Sequence, residues 1–334
     1  MHRRDAPSRF GVAFCCRRLV SAATLLLGLS HAVAAQSDQG GLEFLLPIGA
    51  RTLWMGMAAT ASASGSDALW WNPALIARGP REVGLQITQT LATQTGTDAG
   101  VALIYAVPRV GAVGLSVRYL TFGQSVSTDT FGIAQGTFFQ QSTLVAATFA
   151  APFGDRLAVG LSAKLLRIRF PCTGVCNPGT LPPQTGALDL GAQYLMTSDS
   201  LVSLGLAVRN VGFKLQINDA PQADALPGRA YVGFATAPKF AQLPPDVRVR
   251  GGADVVIPLG STGDVGISVG GELSYRERYQ LRAGYVSNGP TGSGLTFGVG
   301  VSTGKLQLDF ARMLNDISSQ SGVTPTFIAL RYLY

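Results

Sequence analysis

The stretch GLTFGVGVSTGKLQLDFARM, residues 294–313, decides the fold. Apolar residues occupy every second position of 295–301 and again of 306–310, with small or polar residues between them and the turn STGK in the middle. Alternation with a period of two is typical of strands that carry one apolar face, and a short turn joins two such runs as an antiparallel pair. The stretch therefore predicts a β-hairpin.

The same period of two continues from residue 82 to the end of the sequence. Most of the alternating runs have about ten residues or more, enough to cross a bilayer at the tilt of a barrel strand. Several connections are tight and others are long, a contrast that is typical of outer-membrane barrels. We predict an all-β fold, a transmembrane antiparallel β-barrel of about 14 strands. The predicted strands are 82–91, 99–108, 111–120, 136–150, 155–170, 184–196, 200–209, 227–237, 246–258, 263–275, 278–287, 293–303, 304–314 and 323–334. The long loops are predicted at 121–135, 171–183, 210–226 and 315–322.

The composition favours strands over helices as the elements that cross the membrane. Hydrophobic residues make up 47% of the 334 residues and charged residues only 13%, about half the usual share. Beyond the N-terminus, no run reaches the roughly 18 consecutive apolar residues that a transmembrane helix needs. Strands with one apolar face can place this much apolar surface against lipid.

The charged residues decide which strand face meets lipid. An arginine or lysine on the lipid face at mid-bilayer costs about 2–4 kcal/mol, so a set of them must line the interior, where opposite charges can pair. The alternative is a soluble β-sandwich with its apolar faces inward, which does not explain the near absence of charge on the apolar parity. The charges predicted to line the lumen are Arg118, Lys164, Asp189, Arg209, Arg248, Arg250, Asp254, Glu272, Arg282 and Asp309.

The last eight residues, FIALRYLY (327–334), complete the barrel argument. A barrel closes by pairing its last strand with its first, which removes the free sheet edge. Tyr332 and Tyr334 fall where an interfacial aromatic belt is expected. The pattern resembles the C-terminal signal read by the outer-membrane insertion machinery, so this machinery and outer-membrane lipid are the expected partners. An even strand count puts both ends of the barrel in the periplasm.

Residues 1–35 have the features of a cleaved signal peptide. Five arginines precede the apolar core LVSAATLLLGLS (19–30), and small residues end the segment at Ala35. A retained N-terminal anchor helix is the alternative, but the apolar run is only about 12 residues long. Cleavage would remove five arginines, one aspartate and both histidines, and leave 21 basic and 18 acidic residues. The remaining chain has no basic footprint for nucleic acid, and we expect it in a Gram-negative-type outer membrane.

Two of the four cysteines, Cys172 and Cys176, lie in the motif PCTGVCNPG beyond the signal segment. An exported chain meets an oxidising compartment, so we predict a disulfide between them. A metal site is the alternative, but no histidine and no further cysteine remain to complete a tetrahedral set.

The segment before the barrel, residues 36–81, does not alternate. A helix is expected over Leu69–Trp71, capped by Ser66 or Asp67 and ended by Pro73. The segment is too apolar for a free periplasmic linker, which is the alternative, so we expect it to fold back into the barrel as a plug. The candidate plug and ligand residues are Trp54, Trp70, Trp71, Asn72 and Pro73.

The stretch GARTLWMGMAATASASGSDALWWNPALIA (49–77) resembles the N-terminal signature of the PorV/PorQ family, which is itself similar to the FadL-type outer-membrane transporters. VRNVGFK (208–214), LPGRAYVGFA (226–235) and LRAGYVSNGP (281–290) resemble later strands of that family. The resemblance implies a fourteen-stranded barrel with an N-terminal hatch. The chain departs from the family pattern in the hatch, where Leu75 replaces the usual glycine.

The sequence offers no enzyme chemistry, no cofactor site and no metal site. GISVG (266–270) matches the Gly-x-Ser-x-Gly motif, but it lies within a strand, and no histidine serves Ser268 as a base. The PorV/PorQ resemblance implies a non-enzymatic barrel that works with secretion-system proteins or exported cargo, in a type IX-like export. The alternative is a FadL-like conduit for a hydrophobic small molecule, and a purely structural barrel is a third interpretation.

Two features should separate these hypotheses. An apolar pocket beneath the plug, formed by the three tryptophans, would favour a hydrophobic solute. A charge-filled lumen with exposed Phe131, Phe138 and Phe139 would favour a protein partner.

Overall fold

The computed structural model describes residues 39–89, 97–175, 182–197, 199, 201–216, 223–260, 263–289, 292–315 and 326–334. All of them belong to one compact unit that runs from Asp38 to Tyr334. The predicted signal peptide, residues 1–35, lies outside the described residues.

Fourteen antiparallel strands form a closed barrel, as the sequence predicts. They are β1 Glu82–Gln89, β2 Thr97–Val107, β3 Gly111–Thr128, β4 Ala134–Phe153, β5 Leu157–Arg169, β6 Gln184–Leu195, β7 Val202–Gly212, β8 Arg229–Thr236, β9 Val247–Pro258, β10 Gly266–Tyr275, β11 Tyr279–Gly289, β12 Gly292–Ser302, β13 Leu306–Asn315 and β14 Thr326–Leu333. Each strand pairs with its neighbours in the chain, and β1 pairs with β14 from Glu82↔Leu333 to Gln89↔Thr326. This pairing leaves no free edge in the barrel.

Strand β5 shows how the barrel wall is built. Ser162, Lys164 and Leu166 point inward and are buried, whereas Leu161 and Leu165 between them are exposed on the outer face. The apolar parity therefore faces outward to lipid and the charged parity faces the lumen, which is the opposite of a soluble sandwich.

Exposed aromatic side chains surround the end of the barrel that holds the C-terminus. They lie at strand ends next to the short turns, on the outer face. Tyrosine and phenylalanine favour the boundary between hydrocarbon and water, so this ring marks one membrane interface. The ring contains Tyr105, Phe153, Tyr194, Tyr275, Tyr279, Tyr332 and Tyr334.

The predicted long loop 121–135 is wrong. β3 and β4 continue past their neighbours as a hairpin with a bulge between Thr121 and Gln124, and its tip lies at residues 129–133. The short strand Cys172–Gly174 adds to the β4 side of this extension. A further small pair, Leu215–Gln216 with Ala223–Asp224, lies in the connection between β7 and β8.

Residues 39–81 lie inside the barrel, and we call this segment the plug. Gln39 bridges to Ala225 near the long connections, and the Arg78 NH2 donates to the Leu157 carbonyl (2.8 Å) at the opposite end. The plug therefore runs through the lumen from one end to the other. Its helices are α1 Ala50–Trp54 and α2 Ala68–Trp71, with 3-10 turns at Leu42–Phe44, Gly65–Asp67 and Pro73–Arg78.

The expected helix before Pro73 is present as α2, and it ends at Trp71. Asp67 occupies its N-cap position, but the Asp67 side chain makes no capping hydrogen bond. Within the described part of the chain, no helix is long and apolar enough to cross a membrane. Leu53, Leu69 and Ile76 are buried against inward-facing wall residues, so the apolar core lies between plug and barrel.

Candidate functional site

Inward-facing glycines let the plug backbone reach the barrel wall. A Cβ at Gly284 would stand 2.2 Å from Gly56 N, and a Cβ at Gly298 would stand 1.9 Å from Trp54 Cε2. A larger residue has no room at either position. The same kind of contact with the plug occurs at Gly114, Gly160, Gly191, Gly205, Gly233 and Gly270. These glycines recur on the lumen parity of the strands, so the sequence carries a signal of the plug in its inward-facing glycines.

The three predicted plug tryptophans are buried, but not around a common pocket. The Trp54 ring lies 4.7 Å from the Arg282 guanidinium, and the Trp71 Nε1 donates to the Ile48 carbonyl (2.9 Å). Trp70 belongs to the apolar core. Their role here is packing and anchoring.

Asn72 and Pro73 form a corner that fixes the plug to itself and to the wall. The Asn72 Nδ2 donates to the carbonyls of Thr60 (2.7 Å) and Ala192 (3.1 Å), and its Oδ1 accepts from Ala74 N (3.1 Å). Pro73 starts the following 3-10 turn and packs on a wall glycine. These contacts give Asn72 and Pro73 the role of positioning the plug against the wall. That the kink at this pair has a function stays a prediction.

Glu272 on β10 gathers three arginines. Arg282 Nε and Arg250 NH1 each lie 2.6 Å from one of its two carboxylate oxygens, and Arg51 Nε of the plug lies 3.5 Å from Oε2. Glu272 faces Arg250 on β9 and Arg282 on β11 directly across the strand pairs. Because the carboxylate is buried, this pairing is what makes its burial tolerable.

Asp309 on β13 extends the same network. It accepts from Arg282 NH1 (2.9 Å) and from Arg331 NH2 (3.0 Å) on β14. Arg331 was not among the predicted lumen residues. The sequence could have indicated its inward position, because Arg331 occupies the same face of β14 as Phe327 and Ala329, which are buried inside the barrel.

A second network lies on β5 to β7. Lys164 and Arg209 both contact Asp189, Arg209 at 3.9 Å. The Lys164 Nζ also donates to Asn210 Oδ1 (3.0 Å), and Asn210 N donates to Asp189 Oδ1 (2.8 Å). The Arg209 guanidinium lies 5.4 Å from the Trp71 ring, which links this network to the plug.

Arg118 and Asp254 tie the wall to the plug backbone. Arg118 pairs with Asp98 and donates to the carbonyls of Leu46 (2.8 Å) and Pro47 (3.2 Å). Asp98 was not predicted from the sequence. On the other side of the barrel, the Asp254 Oδ2 accepts from the backbone N–H groups of Ala59 (2.9 Å) and Thr60 (2.8 Å).

Arg248 differs from the other predicted lumen charges. It shares their parity, but its side chain is 59% exposed and pairs with Glu277, which lies in the 276–278 turn. The reason is its height in the barrel: at this level β9 has reached the rim, where the inner face is open to water. Arg248 is therefore a rim charge.

Two cavities meet at the Glu272 network. One of about 380 Å³ lies between the plug and the β6–β10 side of the wall, and one of about 170 Å³ lies toward the turns of the rim. Both are lined by Arg51, Arg250 and Glu272. None of the three plug tryptophans is among the described residues that line them.

An apolar groove of about 560 Å³ lies on the outer face of β8 to β12. Gly251, Gly271 and Ala283 form part of its floor, and Phe234 and Phe297 lie at its two sides. The groove shares Thr236 and Gly251 with the larger inner cavity. At this point the wall between lumen and lipid consists of little more than backbone.

The disulfide prediction concerns the extended hairpin. Cys172 is disulfide-bonded and lies on the strand that adds to β4. Cys176 lies outside the described residues, so its pairing with Cys172 stays a prediction.

Comparisons with known proteins identify the barrel type. No family model matches the sequence, and no curated protein matches it. Among solved structures, the toluene transporter TodX of P. putida shares 12% identity at a TM-score of 0.61, over 87% of this chain and 99% of that one. The CymD monoaromatic hydrocarbon channel shares 12% at 0.54, over 87% and 98%. A Pseudomonas aeruginosa FadL homologue shares 11% at 0.49, over 84% and 97%.

The chain is thus similar in fold to FadL-type outer-membrane barrels. The PorV/PorQ resemblance is not confirmed. The neighbours are transporters and channels rather than enzymes. Ser268 of the GISVG motif is buried on β10, and residues 39–334 contain no histidine that could activate it.

Proposed function

We propose that this chain is an outer-membrane conduit for hydrophobic small molecules, with the plug as its gate. One observation carries the proposal: a FadL-type barrel whose lumen is filled by its own N-terminal segment, with a 380 Å³ cavity left between the two. The structural neighbours TodX, a toluene transporter, and CymD, a monoaromatic hydrocarbon channel, support the same function.

The wall next to the cavity supports a side opening toward lipid. β8 ends at Thr236, whereas β9 continues four residues further, from Arg250 to Val247, without a β8 partner. The inner cavity and the outer apolar groove meet here, at Thr236 and Gly251. A solute that prefers hydrocarbon to water would gain free energy by leaving through this site into the bilayer.

The proposed location is the outer membrane, after export by the N-terminal signal and insertion by the barrel-assembly machinery. The apolar side chains on the outer face of the strands and the ring of exposed aromatic residues support outer-membrane lipid as the surroundings of the barrel. No cofactor is part of the proposal.

A reversible lock on the plug tests the conduit. The Ala58 Cβ lies 3.5 Å from a Cβ placed at Gly252, within the range that a disulfide spans. In cells that express the variant Ala58→Cys/Gly252→Cys, uptake of labelled toluene should fall to the vector level after oxidation and recover with reductant. Each single cysteine variant and the wild type, with and without reductant, are the matched controls. Equal uptake in the locked and unlocked states would leave a structural barrel as the better interpretation.

A second candidate, a role in protein export of the PorV/PorQ kind, is favoured by two observations: paired charges fill much of the lumen, and the β3–β4 hairpin exposes apolar side chains. Phe131 at the tip of the β3–β4 hairpin is 88% exposed, and Ile133 beside it is exposed as well, which is unusual outside an interaction site. The comparisons do not support this role. Co-purification from native membranes separates the two: secretion components without bound solute would favour export over the conduit.

A further inference from the structure

The partition between the two cavities is made of charged side chains. Arg51 comes from helix α1 of the plug, Arg250 from β9 and Glu272 from β10. The larger cavity lies on one side of these three residues, and the smaller cavity, which reaches the 276–278 turn, lies on the other. Leu195, Leu201 and Ala237 at the short-turn end also line the larger cavity, so the three charged residues lie beside a cavity that reaches this end of the barrel.

The partition has more positive charge than negative charge. Glu272 is only 1% exposed, and it is shared by Arg51, Arg250 and the fully buried Arg282. Arg250 is 41% exposed and makes one charged hydrogen bond among the described residues, from NH1. Arg51 is 17% exposed and contacts Glu272 and Ser64. A guanidinium carries five N–H donors, so both arginines keep donors that can face the cavity.

The rest of the larger cavity is amphipathic. Neutral polar groups such as Gln193 and Ser203 lie on part of its lining, and Met55, Leu195 and Leu201 supply apolar surface. Apart from Glu272, no acidic residue lines the cavity within the described part of the chain. A volume of about 380 Å³ suits a small organic molecule.

We propose that Arg51 and Arg250 together form an anion-binding site for the carboxylate of a small organic acid, with its apolar part against Met55, Leu195 and Leu201. A carboxylate accepts paired N–H groups from arginine in a fixed geometry, and such charge-assisted hydrogen bonds are the strong ones. The inference rests on the proposed conduit only for the purpose of the site, which would be to hold an acidic solute inside the barrel near its short-turn end. The site itself requires only the cavity and the two arginines.

Binding to the purified full-length barrel tests the site. Benzoate is the probe, and benzyl alcohol is the neutral probe of similar size and shape. Titration calorimetry should show benzoate binding at least about tenfold tighter than benzyl alcohol, with an affinity that falls as salt rises. Arg250→Gln should remove this preference, and Arg250→Lys should keep part of it. Arg248→Gln is the matched control, because Arg248 lies two residues away on the same strand but lines neither cavity.

Three results would overturn the inference: no benzoate binding, equal affinity for the two probes, or an unchanged preference in Arg250→Gln. Should Arg250→Gln fail to fold, the comparison of benzoate with benzyl alcohol on the wild type and on Arg250→Lys still decides the matter. The plug lock tests the conduit separately. Benzoate binding without an effect of the lock on toluene uptake would retain the anion site and reject the conduit, and the reverse result would do the opposite.

Discussion

At the scale of the residue, the molecule depends on positions where a side chain is missing. Gly298 presents bare backbone to the Trp54 ring, and a Cβ there would overlap it at 1.9 Å. Gly271 faces the outer groove, where a new Cβ would meet nothing closer than 3.7 Å. The two glycines lie on opposite faces of the wall and respond to the same substitution in opposite ways.

Gly298→Leu is therefore expected to displace Trp54 and loosen the plug. Overpacking of this kind typically lowers the stability of the folded state by about 1–3 kcal/mol. Because the new side chain would overlap a rigid ring, we expect a loss near the upper end of this range. The temperature at which the purified barrel loses its compact migration in SDS should fall, and the plug should become sensitive to protease. Gly271→Leu, the control, should change neither property. Equal behaviour of the two variants would contradict the described packing.

Sequence alone predicted most of the charged residues that face inward, but it missed Asp98 and Arg331, included the rim residue Arg248, and gave only part of the pairing. Glu272 and Arg282 lie opposite each other because the tight 276–278 turn fixes the register of β10 and β11, so their contact follows from the turn. The contact of Arg51 with Glu272 joins residues 221 positions apart and depends on how the plug enters the lumen. No alternation pattern contains that information.

At the scale of the element, the plug is fixed by a few polar anchors as well as by apolar packing. Asp254 on β9 accepts the N–H groups of Ala59 and Thr60 through a single carboxylate oxygen. It is buried, so removing it leaves two backbone donors without this partner, at a cost of about 1–3 kcal/mol for each donor left unsatisfied.

Asp254→Ala should thus release the 58–61 turn of the plug while the barrel stays folded. In planar bilayers, the variant should open more often than the wild type, and a cysteine at Ala59 should react faster with a water-soluble thiol reagent. Asp254→Asn keeps an oxygen acceptor of the same size, and it is expected to behave close to the wild type. If Asp254→Ala and Asp254→Asn open equally often, the anchor is not what keeps the plug in place.

The β3–β4 hairpin shows where strand prediction from sequence ends. Within the membrane one face of a strand meets lipid and the other the lumen, so apolar and polar residues alternate. In the extension, residues 124–128 read QSVST, and both faces carry mostly polar residues. Above the membrane both faces meet water, and the period of two that marks a strand is lost although the hydrogen-bonded ladder continues.

At the scale of the whole molecule, closure and membrane position involve the same strand. β14 pairs with β1 along its length and carries Tyr332 on the outer face, and Tyr334 follows it, both within the aromatic ring at the interface. A folded barrel keeps its closure through backbone hydrogen bonds and inward packing, to which these two exposed rings contribute little. The tyrosines should therefore matter more for assembly than for the stability of the assembled barrel.

The variant Tyr332→Ser/Tyr334→Ser is expected to reach the outer membrane in clearly smaller amounts than the wild type. Refolded from urea into detergent, it should show nearly the same temperature of unfolding. Tyr194→Ser is the matched control, because Tyr194 belongs to the same ring but lies on the internal strand β6. A general interfacial role predicts an equal and small effect for all three tyrosines, whereas a signal read on β14 predicts that only the β14 pair lowers the yield. Quantitative immunoblots of outer-membrane fractions, set against the refolding data, separate these two outcomes.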